Sequence, residues 1–343
     1  MASLFFQCKN QEVSTEEINQ LRIIQKMEAQ EPVVIGFIGG SITEGTAATA
    51  VRNRYANKVV NKLKLKYEYD NIQLVNAGIG ATTSGIANYR VYNDLLNKSP
   101  DLVFVDFSVN DPRSDKATET YEGLIRQIRN QAEVVSLIFT NKNFINAEEQ
   151  HRKITDYYRI PTLSIKDTLE NLLHLGLKWE DFYNDVVHPN DNGHELISNM
   201  IVDKLSFMKY DHHQNKVPLT ENKYQNTKMV YANELSINQH TNYKLVSDSP
   251  RFGSAYRALI DNSLIEFDFE GEYLSMLCLR NSGSKSVEVT IDGKSYLINT
   301  YIENERGYQA VFDFGKVGTG KHNVTITNQG NFEFNAFMAY STK

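Results

Sequence analysis

Cysteine is scarce in this chain, with only Cys8 and Cys278 among 343 residues, far apart and without a C-x-x-C pattern. Neither a disulfide scaffold nor a zinc ribbon is therefore predicted, and both residues are expected to be buried thiols. No apolar run approaches the roughly 20 residues of a membrane span. The N-terminal stretch "MASLFFQCKNQEVSTEE" lacks the basic start, apolar centre and cleavage site of a secretory signal. The sequence thus predicts a globular, cytoplasmic protein without a membrane partner.

Blocks of positive charge are also missing, because the net charge of −6 arises from acidic and basic residues that are mixed along the chain. This distribution gives no electrostatic footprint for nucleic acid and favours a neutral or weakly charged substrate. Beside His212 and His213, no third ligand stands at a recognisable spacing, so no metal site is predicted. No cofactor is expected either, and the sequence does not indicate an oligomeric state.

Apolar, β-branched runs recur through the first two hundred residues and predict buried strands at 33–39, 71–78, 101–109, 133–140 and 160–165. Near-continuous runs of this kind are typical of strands covered on both faces. Helical patterns separate them, first with Val51, Tyr55, Val59 and Leu63 four apart and then in "TETYEGLIRQIRNQ". The alternation predicts an α/β domain with a parallel, doubly wound sheet, whose ligand crevice lies at the carboxyl ends of the strands.

A further helix is predicted on each side of this region. Ser14 and Glu17 have the spacing of a capping box ahead of Ile18, Leu21 and Ile24, which predicts an N-terminal helix before the sheet. At the other side, an apolar helical pattern follows "HPNDNGH" and predicts the last helix of the domain.

The character of the chain changes near residues 207–220. Short alternating runs replace the helical patterns, and Asp292-Gly293 in "IDGKS" is a hairpin signal between two strand-like segments. Several such strands with turn signals predict an antiparallel β-sandwich. The predicted domains are therefore an α/β domain at 1–210 and a β-sandwich at 211–343.

The stretch "FIGGSITEGT" at 37–46 ends the first buried strand with Gly39 and Gly40 and then places Ser41 at the predicted crevice. The glycines allow a tight turn without a Cβ clash, and a helix that starts there supplies backbone N–H groups and a positive dipole end. The stretch is not a G-x-S-x-G elbow, because Gly45 stands four residues after the serine. Taken alone, such a serine is more often a helix cap than a nucleophile.

A nucleophilic serine needs a base within hydrogen-bond reach and an acid that orients the base. In "DVVHPNDNGH", Asp185 and His188 stand three residues apart just before a predicted helix, so a turn can bring both side chains to one side. Asp185 could accept the proton of one imidazole nitrogen while the other nitrogen takes the proton of Ser41. Alone, this pattern is more often a helix cap followed by a surface histidine.

Two further loops supply candidates for an oxyanion site. "FVDFSVNDP" ends a buried strand with Asn110, whose amide can donate at the carboxyl edge of the sheet, and "NAGIGATTS" ends another with flexible backbone. The first is also compatible with a plain turn, and Gly78 and Gly80 in the second with a simple bend. All four pieces fall at successive strand-to-helix loops, where one crevice would gather them.

Together these pieces resemble the consensus blocks of the SGNH, or GDSL-like, hydrolase superfamily, with "GGSIT", "NAGIGATTS", "SVND" and "DVVHPNDNGH" spread over residues 30–205. The resemblance implies a flavodoxin-like sheet and ester hydrolysis, with Ser41 as nucleophile, His188 as base and Asp185 as its partner. It also implies oxyanion donors from the Ser41 N–H, a Gly-block N–H and the Asn110 side chain.

The Gly block departs from the family pattern. Counting from Asn76, the position at which the family usually has its oxyanion glycine is Ala81, with Gly80 just before it. A backbone donor survives an alanine, but the sequence leaves open which of the two residues supplies it. Ser108 replaces the glycine common in G-x-N-D, which is expected to alter packing more than chemistry.

"GGSIT" in place of G-D-S-L resembles the branch that is rich in carbohydrate esterases, and the tail resembles a jelly-roll or carbohydrate-binding module. The resemblance implies a serine esterase that removes small acyl groups, acetyl foremost, from an oligo- or polysaccharide held partly by the second domain. Trp179 could wall the acyl pocket or stack on a sugar, and core packing is equally compatible. The alternatives are an acyltransferase, a lipid or aryl esterase on the same triad, and a carbohydrate-binding protein with an inactive hydrolase domain.

Overall fold

The structure is a computed structural model that describes residues 18–212, 216–221, 223–224, 226–305 and 307–341. Cys8, Ser14, Glu17 and His213, which entered the sequence predictions, lie outside these ranges. Within them, no helix is both long enough and apolar enough to cross a bilayer.

The first domain alternates strands and helices. In chain order these are β1 (Ile18–Gln20), α1 (Arg22–Glu28), β2 (Val33–Gly39), α2 (Ser41–Glu44), α3 (Tyr55–Tyr67), β3 (Ile72–Gly78), α4 (Ser84–Asp94), β4 (Leu102–Asp106), α5 (Asp115–Arg129), β5 (Glu133–Ile138), α6 (Glu148–Tyr158), β6 (Thr162–Ser164), α7 (Ile165–His174), α8 (Asp191–Leu205) and β7 (Lys209–Asp211).

The five predicted strands form one parallel sheet in the order β3-β2-β4-β5-β6, which is the flavodoxin-like order. Every residue of β4 and β5 is buried, as expected for strands with helices on both faces. The apolar runs are long because each of these strands has no solvent-facing side. The α/β prediction is confirmed.

The beginning of the domain differs from the prediction. Residues 18–20 form a strand that pairs with β7, and the helix begins only at Arg22. No side chain caps this helix from within its own segment. Instead, the backbone N–H groups of Arg22 and Ile23 donate to the Glu133 carboxylate at 2.7 and 3.2 Å. A carboxylate 110 residues away in sequence thus satisfies the helix start, which a local capping pattern cannot reveal.

Val51 also lies outside the helix to which its spacing assigned it. It belongs to a short 3-10 turn, Val51–Asn53, and is 58% exposed. Arg54 is extended between this turn and α3, so the helix begins at Tyr55. The stripe on α3 therefore consists of Tyr55, Val59 and Leu63, all buried.

In the described residues of the second domain, the regular elements are strands and one 3-10 turn. They are β8 (Asn226–Tyr231), β9 (Ile237–Thr241), β10 (Tyr243–Ser249), β11 (Gly253–Ala258), β12 (Leu264–Glu270), β13 (Tyr273–Arg280), β14 (Ser284–Ile291), β15 (Lys294–Asn299), β16 (Tyr308–Lys316), β17 (Lys321–Gly330) and β18 (Glu333–Ser341).

These strands form two antiparallel sheets, and the predicted β-sandwich is confirmed. One sheet has the order β10-β11-β18-β13-β16 with β8 also paired to β18, and the other has the order β15-β14-β17-β12-β9. The predicted hairpin joins β14 to β15, with Asp292 and Gly293 both at positive φ. Between the sheets lies an apolar core that includes Phe267, Phe337 and the thiol of Cys278, all fully buried.

Helix α4 connects the two domains. Ile86 and Tyr89 on this helix share an apolar cluster with Met229 and Leu277 of the sandwich. The Asp94 carboxylate accepts a hydrogen bond from the Tyr231 hydroxyl at 3.1 Å. Since α4 begins directly after the Gly block, the second domain lies beside the predicted crevice.

Candidate active site

Ser41 is the first residue of α2, directly after the carboxyl end of β2. Both preceding glycines make close contacts that a Cβ would disturb. A Cβ on Gly39 would lie 2.7 Å from the Asp106 carbonyl oxygen, and a Cβ on Gly40 would lie 2.6 Å from Asn110 Oδ1. Gly40, not Ser41, is the N-cap residue of α2, so the serine hydroxyl is not used as a helix cap.

His188 and Asp185 meet Ser41 in one hydrogen-bonded chain. The distance from Ser41 Oγ to His188 Nε2 is 2.9 Å, and the distance from His188 Nδ1 to Asp185 Oδ2 is 2.7 Å. The cap of α8 is Asn190, whose side chain accepts from the N–H groups of Asn192 and Gly193. Asp185 is therefore free of the capping role that its spacing also allowed.

The carboxylate of Asp185 is held by more than the imidazole. Its Oδ1 accepts from the backbone N–H groups of Val187 and His188, each at 2.7 Å. Partial burial acts to raise the pKa of Asp185, but the hydrogen bonds from His188 and Val187 outweigh it and hold the pKa below its usual range. The group is an anion at neutral pH and can stabilise a positive imidazolium at His188.

Trp179 supports this loop from within the core. The side chain is 5% exposed and stacks on Tyr183, with ring centroids 3.9 Å apart. Its indole N–H donates to the backbone oxygen of Asp185 at 2.7 Å. The sequence left open whether Trp179 contacts the substrate or packs in the core. The contacts of Trp179 are those of core packing behind Asp185.

The candidate oxyanion donors come from three loops. The Asn110 side chain lies against Gly40, next to Ser41. Ala81 adopts a left-handed backbone with φ of 58°. Within the part of the chain that the structure describes, neither the Ser41 N–H nor the Ala81 N–H has an acceptor, whereas the Gly80 N–H donates to Glu44 Oε2 at 2.9 Å.

Asp111 ties two of these loops together. Its buried carboxylate accepts from the Ser84 N–H at the start of α4 at 2.8 Å and pairs with His151 Nε2 at 2.9 Å. The His151 ring stacks on Tyr121 with centroids 3.7 Å apart. The residue after Asn110 therefore fixes the Asn block against the helix that follows the Gly block.

Sequence reasoning missed a buried carboxyl group beneath Ser41. Asp106, at the end of β4, is 2% exposed and accepts from Thr43 Oγ1 at 3.0 Å, and that hydroxyl lies 2.8 Å from the Tyr55 hydroxyl. Burial raises the pKa of Asp106 to about 8. The available signal was a carboxylate inside the otherwise apolar strand "DLVFVDFSV". Glu44 was also missed, although it stands three residues after Ser41.

The sequence around this candidate site matches a known protein family. Residues 37–196 match the model of the GDSL-like lipase/acylhydrolase family. The matched range runs from the strand before Ser41 to the helix after His188, so it contains the whole candidate site. This match identifies the chain as a carboxylic ester hydrolase. No match was found among curated protein sequences.

Two solved structures are similar over nearly the whole chain. A two-domain esterase (CEX) active on acetylated mannans is 24% identical, with a TM-score of 0.81 over 94% of this chain and 95% of that one. A structure of a two-domain esterase (CEX) active on acetylated mannans, co-crystallised with mannopentaose, is 25% identical, with a TM-score of 0.81 over 94% of each chain. The α/β domain and the sandwich thus occur in the same arrangement in these proteins.

Proposed function

We propose that this chain is a serine esterase that removes O-acetyl groups from a carbohydrate through an acyl-enzyme on Ser41. The observation that carries the proposal is the continuous chain from Ser41 Oγ through both imidazole nitrogens of His188 to Asp185 Oδ2, at 2.9 and 2.7 Å. Nucleophile, base and orienting acid are each within direct hydrogen-bond reach.

In the proposed first step, His188 Nε2 takes the proton of Ser41 as Oγ attacks the acetyl carbonyl carbon. The imidazolium is stabilised by Asp185, and it then protonates the sugar oxygen as the ester bond breaks. In the second step, His188 takes a proton from water, the hydroxide attacks the acetyl-enzyme, and Ser41 regains its proton as acetate leaves. Each step forms a tetrahedral anion whose oxygen needs donors that are already in position.

We propose Ala81 as the Gly-block donor. The Gly80 N–H is already bound to Glu44, whereas the N–H groups of Ala81 and Ser41 have no acceptor among the described residues. With the Asn110 amide, these two N–H groups are the three donors of the proposed oxyanion site. The left-handed backbone at Ala81 supports this assignment, because that conformation is the one for which a glycine is usual.

The proposed substrate class is acetylated mannan oligosaccharides. It is supported by the two similar structures, whose proteins act on acetylated mannans. A cavity of about 390 Å³ beside the Gly block adds support, since it is lined by Ile79 of the first domain and by Asn233, Arg251 and Phe252 of the second. Polar groups together with an aromatic ring suit a sugar chain, so we propose that the sandwich helps to hold the substrate.

The proposal is tested by acetate release from acetylated mannan oligosaccharides, measured beside long-chain aryl and lipid esters. We expect turnover of the oligosaccharides, no turnover by Ser41→Ala, and full turnover by Ser282→Ala, a matched control on an exposed turn of the sandwich. A serine-directed fluorophosphonate should label the wild-type chain but not Ser41→Ala. Preference for long-chain esters would favour a lipid esterase, and absence of labelling would remove the serine mechanism.

A further inference from the structure

Glu44 is the last residue of α2 and follows Ser41 by one helical turn. Its carboxylate Oε2 accepts the backbone N–H of Gly80 at 2.9 Å. A Cβ placed on Gly80 would lie 2.8 Å from that oxygen and 3.6 Å from Ser41 Cβ. The Glu44 carboxylate therefore contacts the Gly-block turn close to the nucleophile, and glycine at 80 leaves room for this contact.

In the Gly-block turn at residues 79–82, all but one of the backbone N–H groups donate a hydrogen bond within the described chain. The Ile79 N–H donates to the Gly39 carbonyl at 3.1 Å, the Gly80 N–H to Glu44, and the Thr82 N–H to the Ile79 carbonyl at 3.3 Å. Only the Ala81 N–H within this run lacks an acceptor in the described chain. Its direction is set by the bonds on either side, and the one at Gly80 is made by a side chain.

The rest of the Gly block is fixed to α2 independently of Glu44. Asn76 Nδ2 donates to the Thr43 carbonyl at 2.8 Å, and Asn76 Oδ1 accepts the Gly78 N–H at 2.9 Å. Loss of the Glu44 side chain would thus free the Gly80–Ala81 peptide while the preceding strand end stays in place.

We propose that Glu44 is a positioning residue that holds the Gly80 N–H and thereby aims the Ala81 N–H at the developing oxyanion. This inference rests on the proposed function. What the position requires is a hydrogen-bond acceptor, since a negative charge beside an oxyanion opposes its formation. Glutamine supplies the same acceptor without the charge.

The test compares Glu44→Ala with Glu44→Gln on an acetylated mannan oligosaccharide. For Glu44→Ala we expect kcat to fall by about tenfold to a hundredfold with little change in KM, because a donor misaimed by a fraction of an ångström weakens the transition state and not the ground state. For Glu44→Gln we expect most of that loss to be recovered. Equal losses in the two variants, or an unchanged kcat in Glu44→Ala, would overturn the inference.

A second experiment shows whether the effect passes through Ala81. Replacing Ala81 by lactic acid converts its peptide N–H into an ester oxygen and removes the donor. If Glu44 acts by aiming that N–H, Glu44→Ala should lower kcat in the wild-type background but by less than about twofold in the ester background. Full additivity of the two changes would contradict the proposal.

Failure of this inference can be told apart from failure of the proposed function. If Ser41→Ala retained turnover, the esterase mechanism itself would be wrong. If Ser41→Ala were inactive while Glu44→Ala kept the wild-type kcat, the role proposed for Glu44 would be wrong and the esterase mechanism would stand. The fluorescence of Trp179, the single tryptophan and a buried residue of the first domain, verifies that each variant is folded.

Discussion

Replacement of Asp106 by asparagine should change how the stability of the first domain depends on pH. The Asp106 side chain is buried at the end of β4, and its Oδ1 has no hydrogen-bond partner among the described residues. Burial raises the pKa to about 8 from the ordinary value of 3.8, the hydrogen bond from Thr43 opposes this, and the nearby charge of Asp111 adds to it. At neutral pH the group is a neutral acid in the folded chain.

The sign and size of the effect follow from linkage. Between pH 3.8 and about 8 the unfolded chain has lost this proton while the folded chain keeps it. The free energy of unfolding therefore falls with rising pH by about 1.4 kcal/mol per pH unit across that window, about 6 kcal/mol in all. The asparagine side chain does not titrate, so Asp106→Asn should lack this slope.

The assay is denaturant unfolding followed by the fluorescence of Trp179, which reports on the first domain alone. We expect the free energy of unfolding of Asp106→Asn, minus that of the wild type, to rise by about 1.4 kcal/mol per pH unit from pH 5 to pH 7, and less steeply as the pH approaches 8. Other titrating groups are shared by both proteins and cancel in the difference. Any constant offset from the buried amide leaves the slope unchanged.

A matched control is Asp70→Asn, because Asp70 is exposed on the same domain. Its difference from the wild type should be flat over the same range. A flat difference for Asp106→Asn as well would refute the reasoning, since it would mean that Asp106 is already ionised in the folded chain at pH 5.

Three more outcomes are expected. Asp185→Asn should lower kcat by about four orders of magnitude in an acetate-release assay, because the amide no longer stabilises the imidazolium at His188. Burial lowers the pKa of His194 to about 4 from 6.5, so the unfolded chain binds a proton first as the pH falls. The contribution of His194 should make unfolding easier by about 3 kcal/mol from pH 7 to pH 4, against the opposite contribution of Asp106, and His194→Phe should lose the His194 part of the pH dependence. Phe252→Ala should raise KM for an acetylated mannan oligosaccharide at least tenfold while leaving KM for p-nitrophenyl acetate unchanged, if the sandwich binds the sugar chain.

The parts of the fold that the sequence predicts are those that depend on burial and backbone shape. Strands such as β4 are recognisable because both of their faces are covered, so nearly every position is apolar. Gly39 and Gly40 stand out because two close contacts exclude a Cβ there. Asp185 and His188 are recognisable because they share one turn before a helix. In each case the signal lies within a short window of sequence, even where the contacts that explain it reach a neighbouring strand.

The parts that the sequence does not predict depend on side chains that meet across long stretches of chain. The start of α1 is satisfied by Glu133, and no pattern near Arg22 encodes that bond. Glu44 reaches the Gly80 N–H, 36 residues away, and this contact decides which N–H of the Gly block stays available. The sequence left Gly80 and Ala81 as alternatives because backbone hydrogen bonding leaves no trace in residue types.

Helix α4 contacts both the candidate active site of the first domain and the second domain. At its N-terminus, the Ser84 N–H is bound by Asp111, next to the candidate donor Asn110. Further along, Ile86 and Tyr89 are buried against the sandwich, where they would otherwise be exposed apolar surface. The same helix thus contacts the end of the Gly block and carries the interface, so we propose that the sandwich stabilises the position of the candidate oxyanion donors as well as lining the cavity beside them. On this proposal, the second domain acts in turnover and not only in substrate binding.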